Sequence, residues 1–212
     1  MGVQNIIFDW DGTLARTLDL WLGGYQTSLN RRDLNFEPKE IVAEFFHNHH
    51  EVPDRHPDID FPEIAQETRA HVLEASHEVD LYNGAIQTLN VLKGKSTALS
   101  LVSSSARPLL ESGLAAHSLN PFFTSTIAGD DGYGHKPNTL PFEETLDRMG
   151  ANAHDTLVIG DSHVDILAGK SMGCQTCLFA PPQNALFHDF AHLKSMNADY
   201  EINHLSSLEE LI

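Results

Sequence analysis

The sequence predicts an α/β fold, with a parallel sheet and a helical module inserted after the first strand. Four short apolar runs, each closed by glycine, proline or small polar residues, are typical of buried strands. Helical patterns separate these runs, and such alternation is typical of parallel βαβ units. The long segment between the first two runs has apolar residues at helical spacing and no strand pattern.

The predicted elements follow in chain order. The strand-like runs lie at residues 3–8, 97–102, 156–159 and 175–179. The helical patterns lie at about residues 84–93, 107–117, 139–149 and 164–172. Within the inserted segment, residues 48–62 carry several prolines and are predicted to form an irregular loop. We therefore expect an α/β domain of residues 1–14 and 83–212 and a helical domain of residues 15–82.

The 212-residue chain is acidic, with 13 lysines and arginines, 30 aspartates and glutamates, and a formal net charge of −17. Such a surface repels the phosphates of nucleic acids and anionic lipids, so we expect neither nucleic-acid nor membrane partners. The apolar runs are shorter than the roughly 20 residues of a membrane helix, and no leader pattern stands at the start. Two cysteines require no disulfide framework, so we expect a soluble protein of the reducing cytoplasm. The oligomeric state stays open.

Four aspartates come directly after predicted strands. Asp9 and Asp11 follow the first strand, and Asp161 and Asp165 follow the third. The carboxyl ends of parallel strands meet at one edge of a sheet, where ligands bind. Clustered carboxylates repel one another unless a cation lies among them, and oxygen ligands suit a hard ion such as Mg²⁺. The pattern therefore predicts a magnesium site at this edge.

Two further polar residues, Ser103 and Lys136, end other connections of the predicted sheet. They supply what carboxylates and a metal ion lack, namely a hydroxyl donor and a fixed positive charge. Hydrogen-bond donors, a metal ion and a nucleophilic carboxylate are together typical of a phosphoryl-transfer site.

The same residues carry a resemblance to a known family. The run Asp9-Trp10-Asp11-Gly12-Thr13-Leu14 resembles motif one of the haloacid dehalogenase (HAD) superfamily. Ser103, Lys136 and the 160–165 segment are similar to motifs two, three and four, in the same order along the chain. The resemblance spans residues 3 to about 180 and implies a Rossmann-like core. Residues 15–82 are similar to the small helical cap of the phosphoglycolate phosphatase-like branch.

The resemblance implies two catalytic aspartates and a set of metal ligands. Asp9 would attack phosphorus and form an aspartyl-phosphate. Asp11 would act first as general acid and then as general base. Mg²⁺ would be held by the carboxylates of Asp9 and Asp161 and by the backbone carbonyl of Asp11.

Phosphate-binding and supporting roles are implied in the same way. Ser103, Lys136 and backbone N–H groups near Asp11 and Ser104 would hold the phosphoryl oxygens. Asp165 would orient Lys136 or act through water, and Thr13 would support the site.

The implied function is a magnesium-dependent phosphatase that hydrolyses a small phosphomonoester, with a small phosphorylated metabolite as its partner. Family members that cleave carbon–halogen or carbon–phosphorus bonds lack a carboxylate at the position of Asp11, so phosphate-ester chemistry is favoured here. A phosphomutase of the same fold and a catalytically inactive binding scaffold stay open as alternatives. Phosphoglycolate, sugar phosphates and nucleoside monophosphates are all open as substrates.

Three features near the motifs have open roles. Arg16 lies where this branch commonly has an acidic residue, so it contacts a second anionic group of the substrate or pairs with a neighbouring acid. His135 stands where glycine usually precedes the lysine, and it crowds the phosphate or caps a turn. The His47–His50 cluster fits no standard set of metal ligands and is predicted to lie in a solvated loop.

Overall fold

A computed structural model describes residues 2–47 and 49–212. At its centre is a six-stranded sheet in which all neighbouring strands are parallel. The strands are β1 (Asn5–Phe8), β2 (Ala98–Val102), β3 (Ser125–Ile127), β4 (Thr156–Gly160), β5 (Gln175–Phe179) and β6 (Tyr200–Ile202). The predicted α/β fold with a Rossmann-like parallel sheet is confirmed.

The strand order, β3-β2-β1-β4-β5-β6, positions the functional edge. Phe8 of β1 lies opposite Leu101 of β2 on one side and Ile159 of β4 on the other. The winding of the chain reverses between β1 and β4, and the carboxyl ends of these two strands therefore border a crevice.

Helices cover both faces of the sheet. The helices of the described chain are α1 (Thr17–Asn30), α2 (Pro38–Ile41), α3 (Val52–Arg55), α4 (Phe61–Ala75), α5 (Ala85–Gly94), α6 (Arg107–Ala116), α7 (Leu140–Met149), α8 (His163–Met172) and α9 (Phe190–Ser195). Of these, α5 to α8 cover the sheet. Ile6 and Phe8 share a hydrophobic core with α5 and α6, whereas Ile7 shares one with α7 and α8. Among the described residues, no helix is long and apolar enough to span a membrane.

The segment between β1 and α5 contains α1 to α4, which we call the cap helices. α1 packs along α4, and a π-helical stretch at Val42–His47 continues α2. Tyr25, Phe45 and Ile64 belong to a hydrophobic cluster formed within this segment. The partition into domains of residues 1–14 with 83–212 and of residues 15–82 stays a prediction.

The structure contains two strands that the sequence did not predict, and the prediction of one loop was wrong. β3 and β6 were not predicted, because strands of three residues leave no apolar run long enough to signal them. Of the predicted loop at residues 48–62, Asn48 lies outside the described residues, and the remainder contains α3 and the start of α4. Pro53 and Pro62 lie in the first turns of these helices, where the missing N–H of proline sacrifices no hydrogen bond.

Candidate active site

The loop after β1 carries two of the predicted site residues. The backbone N–H of Asp9 donates to the carbonyl oxygen of Ile159 at 2.8 Å, which extends the β1–β4 pairing by one residue. The loop then turns back, with the Ala15 N–H donating to the Trp10 carbonyl at 3.0 Å. The Trp10 side chain is buried in the core, and Asp9 and Asp11 on either side of it face the edge of the sheet.

Lys136 joins two of the predicted carboxylates. Its Nζ donates to Asp9 Oδ1 at 2.5 Å, to Asp165 Oδ1 at 2.7 Å and to the Val102 carbonyl at 3.3 Å. Burial acts to lower the pKa of Lys136, but the two carboxylates outweigh burial and hold the pKa above its usual range. On the other side of Asp9, the Thr13 hydroxyl donates to Oδ2 at 3.3 Å. A buried, protonated lysine thus fixes one carboxylate oxygen of Asp9.

Asp9, Asp161 and Asp165 form a buried carboxylate triad, with one oxygen of each within 4.8 Å of the others. Burial raises the pKa of Asp9 well above its ordinary value; Lys136 opposes this effect, and the neighbouring aspartates add to it. Burial also raises the pKa of Asp161. Burial and mutual repulsion thus oppose full ionisation of the three carboxyls, and a bound cation would relieve both. The oxygen-only donor set of the triad fits a hard divalent cation such as Mg²⁺.

The triad and the predicted ligand set differ in one member. The prediction pairs the carboxylates of Asp9 and Asp161 with the backbone carbonyl of Asp11, whereas the triad contains Asp165. One oxygen of Asp165 accepts from the buried lysine and the other accepts from the Ser162 hydroxyl at 2.8 Å. These contacts suit a residue that orients the lysine. The ligand set with Asp11 stays a prediction.

Two serine hydroxyls hold the side chain of Asp11. Ser103 Oγ donates to Asp11 Oδ2 at 2.8 Å, and Ser105 Oγ donates to Asp11 Oδ1 at 2.9 Å. Ser104 lies between them and is exposed on the wall of a cavity. Ser105 was not predicted as a site residue. The run of three serines was the available signal, since alternate residues of an extended chain share a side.

Two residues after β5 hold Asp161, and no sequence motif marks them. His188 Nε2 lies 2.8 Å from Asp161 Oδ2. The Asn184 amide donates to the same oxygen at 3.1 Å and to the Gly12 carbonyl at 2.9 Å. The Tyr82 hydroxyl in turn donates to the Asn184 side-chain oxygen. This network orients Asp161 against the loop after β1.

A cavity of about 660 Å³ opens beside Asp11, between the sheet edge and the cap helices. Among the described residues, Arg69 of α4 is the one arginine or lysine that lines it. Arg16, the cation singled out in the sequence, instead donates to Asp19 at 2.6 Å, in a pair whose side chains are 39% and 48% exposed. The structure thus shows the pairing alternative for Arg16, and its contact with a substrate stays a prediction.

The histidines with open roles lie near the surface where they are described. His135 is exposed, and its carbonyl accepts the Asn138 N–H at 3.0 Å in a turn. His49 and His50 are exposed, and His49 lines the cavity. The side chain of His47 lies outside the described part of the structure.

An oxygen-rich crevice at the reversal point of a doubly wound parallel sheet, beside a set of inserted helices, is where such folds bind their ligands. Comparison with known proteins identifies the family. Residues 6–179 match the family model of haloacid dehalogenase-like hydrolases, and the chain belongs to this family. It is an enzyme, as the sequence predicted.

Related proteins match over nearly their whole length. Pyrophosphatase PpaX from Oceanobacillus iheyensis is 27% identical over 216 residues, covering 100% of this chain and 98% of the relative. Pyrophosphatase PpaX from Anoxybacillus flavithermus is 30% identical with the same coverage of both chains. Both of these relatives of this HAD-family enzyme are thus named as pyrophosphatases.

Solved structures share the fold. One described as a predicted phosphoglycolate phosphatase, from Haemophilus somnus, superposes with a TM-score of 0.83 at 18% identity and covers 98% of this chain and 97% of its own. A HAD family hydrolase from Deinococcus radiodurans, with bound phosphate and sodium, gives a TM-score of 0.81 at 20% identity, covering 97% and 93%.

Proposed function

We propose that the protein is a magnesium-dependent phosphatase that hydrolyses a small phosphomonoester through an aspartyl-phosphate on Asp9. The observation that carries this proposal is the geometry around Asp9. Its carboxylate is held by Lys136 at 2.5 Å within a buried carboxylate triad, and a second acid, Asp11, stands at the entrance of a cavity. The relatives named pyrophosphatase support phosphoryl chemistry of this class.

In the first step, the Asp9 carboxylate attacks phosphorus in line, and the bond from phosphorus to the leaving oxygen breaks. The leaving oxygen takes a proton from Asp11, which is a general acid in this step. The Ser105 hydroxyl, at 2.9 Å, holds the Asp11 carboxyl for this transfer. The Ser103 hydroxyl, which donates to Asp11 at 2.8 Å, turns to the phosphoryl group when the substrate binds.

In the second step, a water molecule attacks the phosphorus of the aspartyl-phosphate. Asp11 now takes a proton from the water as general base. The bond from phosphorus to the Asp9 oxygen breaks, orthophosphate leaves, and both aspartates return to their starting states. Lys136, the Ser103 hydroxyl and backbone N–H groups near Ser104 stabilise the charge on the phosphoryl oxygens in both steps.

The carboxylates of Asp9 and Asp161 and the backbone carbonyl of Asp11 would hold the magnesium ion. A bound divalent cation neutralises negative charge on the phosphoryl oxygens and so lowers the barrier to attack by a carboxylate. Asp165 positions Lys136, which it contacts at 2.7 Å.

Removal of divalent metal is expected to abolish orthophosphate release. With a panel of phosphomonoesters, we expect a chelator to lower the initial rate by more than about 100-fold, since such an ion contributes several kcal/mol to the transition state. Added Mg²⁺ is expected to restore the rate, and circular dichroism will show that the chelated protein is folded. An isomerised ester without free phosphate would indicate a phosphomutase. No turnover of any ester by a folded protein would indicate a binding scaffold, and either outcome contradicts the proposal.

Gly12 offers a test of the network that orients Asp161. Its φ is +76°, and a Cβ there would lie 1.9 Å from Asp161 Oδ2. We expect Gly12→Ala to lower orthophosphate release by about 100-fold, the order expected when a site group moves by about 1 Å. Gly173→Ala is the matched control, because φ is +77° there and a Cβ would meet nothing within 4 Å. Equal rates for both variants would contradict the role given to this close approach.

We further propose that the enzyme acts in the cytoplasm on a small phosphorylated metabolite. Cys174 and Cys177 are buried free thiols, which supports a reducing compartment such as the cytoplasm. A small phosphorylated metabolite is the proposed substrate. Pyrophosphate and phosphoglycolate, which occur in the names of the relatives and the fold neighbours, belong in the first panel.

A further inference from the structure

The cavity beside Asp11 differs in chemistry from the catalytic edge that it adjoins. Asp11, Ser104 and Ser105 line the end nearest the sheet. Most of the remaining wall is apolar and aromatic, and it includes Trp21, Tyr25, Phe45, Phe46, Phe61 and Leu109. A ligand that enters beside Asp11 therefore meets rings from the cap helices.

The aromatic wall is already packed. The ring centroids of Tyr25 and Phe45 are 5.6 Å apart, those of Tyr25 and Phe46 are 5.7 Å apart, and those of Phe45 and Phe61 are 6.0 Å apart. Aromatic pairs that pack on one another have such separations. Tyr25 and Phe45 are only 8% and 1% exposed, which anchors the wall in the core of the cap helices. The surface is thus formed before any ligand binds.

The position of Asp11 decides which part of a substrate reaches this wall. This step rests on the proposed function, in which Asp11 protonates the leaving oxygen. The phosphoryl group lies at Asp9 and Lys136, so the cavity receives the leaving group. Its volume of about 660 Å³ lies within the range of small-molecule pockets.

We infer that the enzyme prefers phosphomonoesters whose leaving group carries an apolar, ring-sized body, and an aromatic ring above all. A compact polar leaving group, such as the second phosphate of pyrophosphate, would lose water against these rings, and only Arg69, His49 and the serines at the sheet end could replace its hydrogen bonds. An aromatic ring would instead bury apolar surface and pack edge-to-face or offset against the wall.

Arg69 is consistent with such a ligand. Its guanidinium lines the cavity, and within the described part of the chain no carboxylate forms an ion pair with it. A planar, unpaired guanidinium can lie over the face of an aromatic ring and attract it.

The test compares esters that differ in the body of the leaving group. Benzyl and methyl phosphate suit it, because their leaving alcohols have similar acidity and the chemical step is matched. With Mg²⁺ present, we expect kcat/KM for benzyl phosphate to exceed that for methyl phosphate by about 100-fold or more. Pyrophosphate and phosphoglycolate are measured alongside and are expected to fall below benzyl phosphate.

Substitution of Trp21, which lines the cavity, tests whether the aromatic wall causes this substrate preference. Trp21→Ala is expected to lower the ratio of kcat/KM for benzyl over methyl phosphate by about tenfold, and Trp21→Phe is expected to recover most of it. Leu73→Ala is the control, since Leu73 lies on α4 with 46% of its surface exposed. Thermal unfolding of each variant will show whether it is folded, and Trp21→Phe keeps the test valid if Trp21→Ala is not.

The outcomes separate this inference from the function on which it rests. Turnover of methyl phosphate, phosphoglycolate or pyrophosphate at or above the rate for benzyl phosphate overturns the inference and leaves the phosphatase intact. An unchanged ratio in Trp21→Ala also overturns it. Failure to hydrolyse any ester contradicts the proposed function itself.

Discussion

Lys136→Met is expected to destabilise the protein and to lower its activity by about 100-fold. Lys136 Nζ lies 2.5 Å from Asp9 and 2.7 Å from Asp165, and the side chain is only 4% exposed. Removing one partner from a buried ion pair costs roughly 3–5 kcal/mol, because the other charges remain buried without compensation. We expect the free energy of unfolding to fall by this amount in chelator, measured by denaturant titration.

The activity of the same variant should fall for a separate reason. Lys136 is proposed to stabilise charge on the phosphoryl oxygens, and loss of one such donor costs on the order of 3 kcal/mol in a transition state, or about 100-fold in rate. The double variant Lys136→Met with Asp165→Asn removes one uncompensated carboxylate. We expect it to regain stability but not activity.

The control for Lys136 is a lysine paired at the surface. Lys194 lies 2.5 Å from Glu201, and their side chains are 51% and 45% exposed. Lys194→Met is expected to change the free energy of unfolding by less than about 1 kcal/mol, because water and salt screen exposed pairs. A Lys136→Met variant as stable and as active as Lys194→Met would show that the buried carboxylates do not depend on Lys136.

Asp9→Asn is expected to lower orthophosphate release by roughly 10⁴-fold or more, the scale seen when a nucleophile is removed. An amide has nearly the same shape as the carboxylate but cannot attack phosphorus. The fold should survive, because Lys136 keeps Asp165 as a partner at 2.7 Å and burial, which raises the pKa of Asp9, opposes the charged form of that residue. We expect the free energy of unfolding to be equal or higher in the variant.

Asp11→Asn is the comparison that distinguishes the two aspartates. Asp11 is proposed to donate a proton to the leaving group, so its loss should matter less when the leaving group needs no proton. Asp11→Asn should therefore retain more activity on p-nitrophenyl phosphate than on benzyl phosphate. Asp9→Asn should be inactive on both esters, and appreciable phosphate release by Asp9→Asn would contradict the assigned nucleophile.

The sequence predicted the central strands of the sheet because they are continuous apolar runs. β1, β2, β4 and β5 are almost wholly buried, and each ends in polar residues or a turn. The strands β3 and β6 were not predicted from the sequence, because pairing with neighbouring strands, and not their own composition, holds them extended. Parallel pairing of β3 with β2 and of β6 with β5 is visible only in the assembled sheet.

In the candidate site, too, some residues could be predicted from their own motifs, whereas others could be found only in the assembled structure. Asp9, Lys136 and Asp161 stand in motifs beside strand ends, and the fold brings their side chains together, while the roles given to them stay predictions. Asn184 and His188 could not be predicted, because they reach Asp161 only after the chain beyond β5 folds back over Gly12. The packing of the cap helices likewise decides which of their arginines lines the cavity.

The aspartyl-phosphate proposed on Asp9 can be detected directly on the enzyme. Samples quenched during turnover are reduced with borohydride, which converts an acyl phosphate to an alcohol, and their peptides are then mapped by mass spectrometry. We expect the acyl phosphate of Asp9 to be converted to the alcohol in the wild-type enzyme with Mg²⁺, and no such conversion in chelator or in Asp9→Asn. Conversion at a different carboxylate, or equal labelling of wild type and Asp9→Asn, would contradict it.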